Sequence, residues 1–250
     1  DDKFQLNTGN KIILQIFPIF YLVVTQNINL TYLGNYNFFE LKLQSFAIPF
    51  SFACILLLIN SFNYFDGIDG SLSFSTLSTL SILFFLTQNK EIELFIIIFS
   101  LSIIVFLFFN FSLFKLPKLF LGDSGSLSLG FIVSFILIYF ANQEIAHPII
   151  LAWSVSIFVF EFLSLNIERI KTKKGIFKPG QDHFHHLLFY KSKSIIKTNL
   201  IIFFTNISMF IFGYLTFTYI SSFSSLIMFI VFFFIFFYLR NFLFKYKKGF

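Results

Sequence analysis

The sequence predicts an all-α protein, a polytopic transmembrane helical bundle with about eight spans. Three observations predict it. The 250 residues are 57% hydrophobic and only 12% charged, about half the charge of an ordinary soluble domain. Forty-five of them are Phe, more apolar ring than one globular core can bury, so much of that surface must face lipid. The apolar residues also fall into runs near the length that crosses a bilayer in helix, about 20 residues.

Eight segments qualify: 11–28, 43–61, 72–88, 92–110, 126–142, 147–166, 197–219 and 224–240. Backbone polar groups cannot be left unpaired in hydrocarbon, so each must be helical. Residues 1–250 are expected to form a single integral-membrane unit, with a long loop at 167–196. The chain opens Asp1-Asp2-Lys3 without an initiator Met or a signal pattern, and its first apolar run already resembles a mature span. The expectation is therefore that the true N-terminus is missing. Cys54, the single cysteine, sits in an apolar run and reads as a packing residue.

Orientation follows from Lys and Arg. Alternating connections put 1–10, 62–71, 111–125, 167–196 and 241–250 on one side, and 29–42, 89–91, 143–146 and 220–223 on the other. Of the 18 Lys and Arg, only Lys42 and Lys90 fall on the second side, so the first is predicted to be cytoplasmic. All six Asp fall on that first side too, with His183, His185 and His186. Positive-inside bias does not account for the Asp. Short carboxylates converging from separate loops are what a metal–phosphate site requires.

Three stretches carry the chemistry. In Asn60-Ser-Phe-Asn63-Tyr-Phe-Asp66-Gly-Ile-Asp69-Gly70, a continuing helix would set Asn60, Asn63 and Asp66 along one face. Hard oxygen ligands of this kind suit Mg²⁺ shared with substrate phosphates. The plain alternative is a helix end closing in Asp-Gly turns. In Phe120-Leu-Gly122-Asp123-Ser-Gly-Ser126, Ser and Gly before an apolar helix predict an N-cap that favours phosphate, with Asp123 beside it to hold a cation. A simple helix cap is the alternative. The loop 167–196 carries Arg169, Lys171, Lys173, Lys174 and Lys178 ahead of Gly180-Gln-Asp182-His183-Phe-His185-His186. Anionic lipid accounts for the basic run. The His cluster fits no standard zinc spacing and points to phosphate or sugar contact.

Four ordered motifs resemble the polyprenyl-phosphate N-acetylhexosamine-1-phosphate transferases, glycosyltransferase family 4, over nearly the whole chain. Asp1-Asp2-Lys-Phe resembles the family's Asp-Asp element and Asn60 to Gly70 its Asn-x-x-Asn-x-x-Asp-Gly-x-Asp-Gly element. Asn110 with Phe120 to Ser126 resembles its Asn-Phe…Gly-Asp-x-Gly-Ser element, and His183-Phe-His185-His186 its His-x-His-His loop. The loop, and the two spans after it, are closer to the undecaprenyl-phosphate GlcNAc-1-phosphate transferase branch. The resemblance implies Mg²⁺-dependent transfer (Mn²⁺ as an alternative) from a UDP-N-acetylhexosamine to polyprenyl phosphate at the cytoplasmic face of the inner membrane, releasing UMP and initiating a cell-envelope polysaccharide such as lipopolysaccharide. It implies Asn63 and Asp123 as metal ligands. Asp66 and Asp69 would shape the nucleotide-diphosphate site as catalytic residues, and Asp1 or Asp2 would position or deprotonate the lipid phosphate. Asn60, Asn110, His183, His185 and His186 would contact substrate. Membrane lipids are expected partners, a homodimer is left open, and no nucleic acid is expected.

Two departures stand out: Ser71 where the family has Leu, and Gly180-Gln181-Asp182 where the branch has an Asp and a basic residue before the His. A rival class is an ion-coupled transporter, which buries ionisable groups near the bilayer midplane. Here the helix interiors are almost free of charge; Glu161 is the main exception, lies toward the cytoplasmic end of its span, and either supports the site or packs a helix. An intramembrane aspartyl protease, hinted at by Leu121-Gly-Asp123, needs two Asp sharing a proton within the membrane. Lys115 and Lys118 instead place Asp123 at the water interface.

Overall fold

The computed structural model describes residues 8–173, 175, 180 and 182–248. Ten helices follow one another among them. They are α1 Thr8–Phe20, extended by a π-helical turn Tyr21–Thr25, then α2 Ala47–Phe65, α3 Ser71–Leu86, α4 Lys90–Asn110 and α5 Gly122–Asn142. The rest are α6 Pro148–Ser154, α7 Ser156–Lys171, α8 Phe184–Ser192, α9 Ile195–Tyr219 and α10 Ser222–Lys248. A short antiparallel hairpin, β1 Tyr32–Asn35 and β2 Glu40–Lys42, lies in the connection between α1 and α2, where only a loop was expected.

Every expected apolar segment is helical, but not all are alike. Five helices are long and apolar enough to cross a membrane: the α2 region, α4, α5, α9 and α10. The segments of α1 and α3 are shorter apolar helices. The expected single span 147–166 is instead two helices, α6 and α7, bent by 74° at Val155. With that pair counted as one span, the described residues hold up to six. Large side chains such as Phe17, Phe114, Tyr219, Tyr238 and Phe242 point outward, as a lipid-facing surface requires.

The bend costs backbone hydrogen bonds, and neighbouring helices restore them. Thr79 of α3 donates to the Ser154 carbonyl at 3.0 Å, and Asn206 of α9 donates to it at 3.0 Å. The Asn206 side-chain oxygen accepts from the Ile157 N–H at 3.4 Å. Lipid is as apolar as these side chains, so helix association rests on close packing and polar contacts. Helix α3 shows both: Ser71, Ser73, Ser75, Thr76, Ser78 and Thr79 are all buried. Gly130 lets α5 lie directly on α2, because a Cβ there would stand 2.7 Å from the Ile59 Cα.

The connections sort to two ends. Asn142 reaches the Asn29 carbonyl, His147 the Asn35 carbonyl and Ser222 the Asn37 side chain, gathering the hairpin and two turns at one end. The residues of the motifs lie at the other.

Candidate active site

Helix α2 stops at Phe65, so Asp66 is not a third residue on its face. It is the C-cap, with φ −86° and ψ 75°. The buried Ser71 hydroxyl donates to the Phe65 carbonyl freed by that stop, which gives the departure from Leu at this position a physical reason. The Gly122–Ser126 stretch also differs from expectation. Helix α5 begins at Gly122, its N-cap is Leu121 without a side-chain cap bond, and Asp123 lies inside the first turn.

Three spaces meet at this end. A cavity of about 430 Å³ is lined by Lys11, Gln15, Asn60, Asn63, Tyr64, Asp66, Gly67, Asp123, Arg169, Gly180, His183, His185 and His186, among others. A second, of about 310 Å³, runs from Asp66 to Leu72 and on to Phe106, Asn110 and Phe120–Asp123. A third, an apolar groove of about 600 Å³, leads away between α1 and α5 past Leu14, Pro18, Ile59, Leu127, Phe131 and Ile132. Asp123 lines all three, and Asp66 and Gly67 lie between the first two.

Polar contacts tie the motifs together. Asn63 Nδ2 donates to Asp123 Oδ1 at 3.1 Å and to Ser126 Oγ at 2.9 Å. Lys11 Nζ pairs with Asp123 Oδ2. Asn60 Nδ2 donates to Gln15 Oε1 at 3.2 Å and back to the Leu56 carbonyl at 2.7 Å. Of the three spaces Asp69 lines the second, where Lys118 pairs with it at 2.7 Å. Asn110 Nδ2 donates to the Leu119 carbonyl at 2.8 Å, and its side-chain oxygen is buried without a partner among the described residues. Gly67 is needed for the close approach of two motifs: a Cβ there would collide with His185 Nε2 and come within 2.9 Å of His186 Nε2.

The electrostatics follow from this crowding. Burial among its neighbours, and then the charge of Asp123, push the Asp66 carboxyl up to about 6. Burial, and then the Arg169 charge, push the His183 imidazole down to about 3, and burial holds His185 well below the usual histidine range. Both rings are therefore neutral. Burial opposes ionisation of Asp182, but bonds at 2.9 and 3.3 Å from Arg169 prevail and hold it below the usual carboxylate range. That pair sets an acid, held by a base, directly before His183.

Asn63, Asp66 and Asp123 present hard oxygen donors, and two carboxylates share one wall with an imposed mutual repulsion that a cation would relieve. Among the described residues no group of three or more His, Cys, Asp or Glu is placed to enclose a metal. Such a donor set suits an ion that keeps waters and shares phosphates, as Mg²⁺ does.

The structure unites Asn60, Asn63, Asp66, Asp123, His183, His185 and His186 around one cavity and sets Asp69 and Asn110 in the adjoining one. Asp1 and Asp2 lie outside the described residues. Sequence reasoning missed Lys11 and Gln15, which look like ordinary helix-end residues, and Arg240, which looked like a flanking positive charge. A pairing of Lys11 with the α5 acid had no local signal.

These features define a multi-pass helical membrane protein that gathers acids and histidines at one end, beside an apolar groove. The family profile described as "Glycosyl transferase family 4" matches residues 1–141, more than half of the chain, and the chain belongs to that family. Similar proteins include the undecaprenyl-phosphate alpha-N-acetylglucosaminyl 1-phosphate transferase of Yersinia pestis, 27% identical over 196 residues, and that of Escherichia coli K12, 28% identical over 196 residues. A probable undecaprenyl-phosphate N-acetylglucosaminyl 1-phosphate transferase of Bacillus subtilis strain 168 is 30% identical over 203 residues. Each comparison covers 75% of this chain and 53% of the relative, so the chain spans about half the length of the curated relatives it matches.

Proposed function

We propose that the protein transfers an N-acetylhexosamine 1-phosphate from a UDP-sugar to a polyprenyl phosphate such as undecaprenyl phosphate, with Mg²⁺ or Mn²⁺ as cofactor. The reaction takes place at the cytoplasmic face of the inner membrane and begins a cell-envelope polysaccharide. Residues 1–250 act in it as one integral-membrane unit. The observation that carries the reading is the position of Asp123 on the wall of all three spaces. The apolar groove suits a polyprenyl tail, and the two polar cavities suit a diphosphate and its nucleoside. The relatives' names, which specify undecaprenyl phosphate and an N-acetylglucosaminyl 1-phosphate, support the same reaction class.

An oxygen of the lipid phosphate attacks the β-phosphorus of the nucleotide sugar. The bond to the bridging oxygen breaks, UMP leaves, and the lipid keeps the sugar and its phosphate. Little covalent chemistry is asked of the protein, whose part is positioning and charge neutralisation. Asn63, Asp66 and Asp123 hold the cation, which when bound offsets charge on the diphosphate. Lys11, beside Asp123, offers a positive charge to the acceptor phosphate at the mouth of the groove. Neutral His183 and His185, together with His186, contact the nucleotide sugar by hydrogen bonding. Asp69 and Asn110 line the nucleoside cavity, Asn60 holds Gln15 at the groove, and Asp1 or Asp2 positions or deprotonates the acceptor.

The test is UMP release by the purified intact protein with Mg²⁺, polyprenyl phosphate and a panel of UDP-sugars. The expected result is release with at least one UDP-N-acetylhexosamine, reduced about a thousandfold or more in Asp123→Asn at unchanged folding. No release with any sugar nucleotide, or an active Asp123→Asn, would refute the reaction.

A further inference from the structure

The N-terminal end of α8, which brings His185 and His186 to the cavity, is fastened by two buried groups that the reaction above does not use. Glu161 of α7 is completely buried, and Arg240 of α10 is 1% exposed. Glu161 Oε1 accepts the Phe184 N–H at 2.9 Å, so a carboxylate from another helix caps α8. The same oxygen lies 3.8 Å from His183 Nδ1. Glu161 Oε2 accepts from Arg240 Nε at 3.1 Å, and Arg240 Nη2 donates to the Asp182 carbonyl at 2.7 Å. One ion pair therefore grips the backbone at 182 and at 184, on either side of His183.

Stability alone does not explain such a pair. Removing two charges from water costs several kcal/mol each, and apolar replacements of buried pairs are often neutral or stabilising. What an apolar pair could not do is bond those two backbone groups. Fixing them removes freedom from the segment that must meet a diphosphate. The grip comes from α10, far along the chain and lining none of the three spaces.

We propose that the Glu161–Arg240 pair is a positioning element for the His183–His186 segment, so that helix α10 sets the affinity for the nucleotide sugar without touching it. The inference rests on the transferase reading given above. It is tested in the intact protein with two variants, Arg240→Lys and the charge-neutral double variant Glu161→Gln/Arg240→Met. The double variant keeps an oxygen to cap α8 and leaves no uncompensated buried charge. Lys keeps the charge but cannot bond Glu161 and the Asp182 carbonyl together in the forked geometry of a guanidinium.

In both, the KM for the UDP-sugar should rise about tenfold, the scale typical of losing an outer positioning contact. The KM for polyprenyl phosphate and the unfolding temperature should stay at wild-type values. A folded variant with an unchanged nucleotide-sugar KM, an equal loss toward both substrates, or unfolding of both variants overturns the proposal. An inactive wild type would overturn the transferase reading along with it. An active wild type with unaffected variants overturns the positioning role alone.

Discussion

The raised Asp66 carboxyl makes cation binding steeply dependent on pH. In the folded chain this group titrates at about 6, against an ordinary value of 3.8, because of burial and the Asp123 charge. A cation held by Asp66 must displace that proton. At about pH 5 roughly nine in ten Asp66 side chains carry it, and at about pH 7 roughly one in ten. Apparent Mg²⁺ affinity should therefore be about tenfold weaker at pH 5 than at pH 7 from this residue alone. The assay is the rise in thermal unfolding midpoint with added MgCl₂ at pH 5, 6 and 7, which reads binding without turnover. Without cation the sign reverses. A folded-state value above the unfolded one means that the folded chain holds the extra proton, so this contribution is full below pH 3.8 and lost as pH rises through about 6. In Asp66→Asn both dependences should vanish. Equal Mg²⁺ response at pH 5 and 7, or an unchanged pH dependence in Asp66→Asn, would show that Asp66 is not a cation ligand.

The buried imidazoles should act in the opposite sense. His183 is held at about 3, so its contribution to stability is present above pH 6.5 and lost as pH falls toward 3; His183→Gln should flatten the fall in unfolding midpoint between pH 7 and 5. Gly130→Leu should separate α2 from α5 and abolish monodisperse folded protein in size-exclusion chromatography, since even a Cβ there stands 2.7 Å from the Ile59 Cα. Asn206→Leu leaves the Ile157 N–H without its partner and the Ser154 carbonyl with only Thr79. It should lower stability by about 1 kcal/mol, measured by reversible unfolding in mixed micelles, with little change in substrate KM.

The fold class was legible because bilayer thickness dictates segment length, and every apolar run did become helix. The gathering of the candidate residues was legible where chemistry is written in short motifs: Asn63, Asp66, Asp123 and the His segment line one cavity. What lay hidden depends on tertiary partners. Nothing local marks Val155 as a bend, because the residues that make it tolerable, Thr79 and Asn206, lie on other helices. Lys11 carried the same positive-inside signal as any flanking lysine, and only its pairing with Asp123 sets it apart. The Asn60–Asn63–Asp66 face was overextended by one residue, since Gly67 must turn the chain toward His185 and His186. The buried hydroxyls of α3 looked like ordinary polar dilution of an apolar run, yet Ser71 closes the turn that carries Asp66 and Asp69.

The bend at Val155 also bears on the order of assembly. Unpaired peptide groups are not tolerated in hydrocarbon, so during synthesis the α6–α7 segment can enter the bilayer only as a straight helix or already sheltered by protein. One of its two supports, on α3, precedes it along the chain; the other, on α9, is translated afterwards. The second support of the bend is therefore available only once α9 has been made, and the Arg240 hold on α7 and the histidine helix only after α10 follows it.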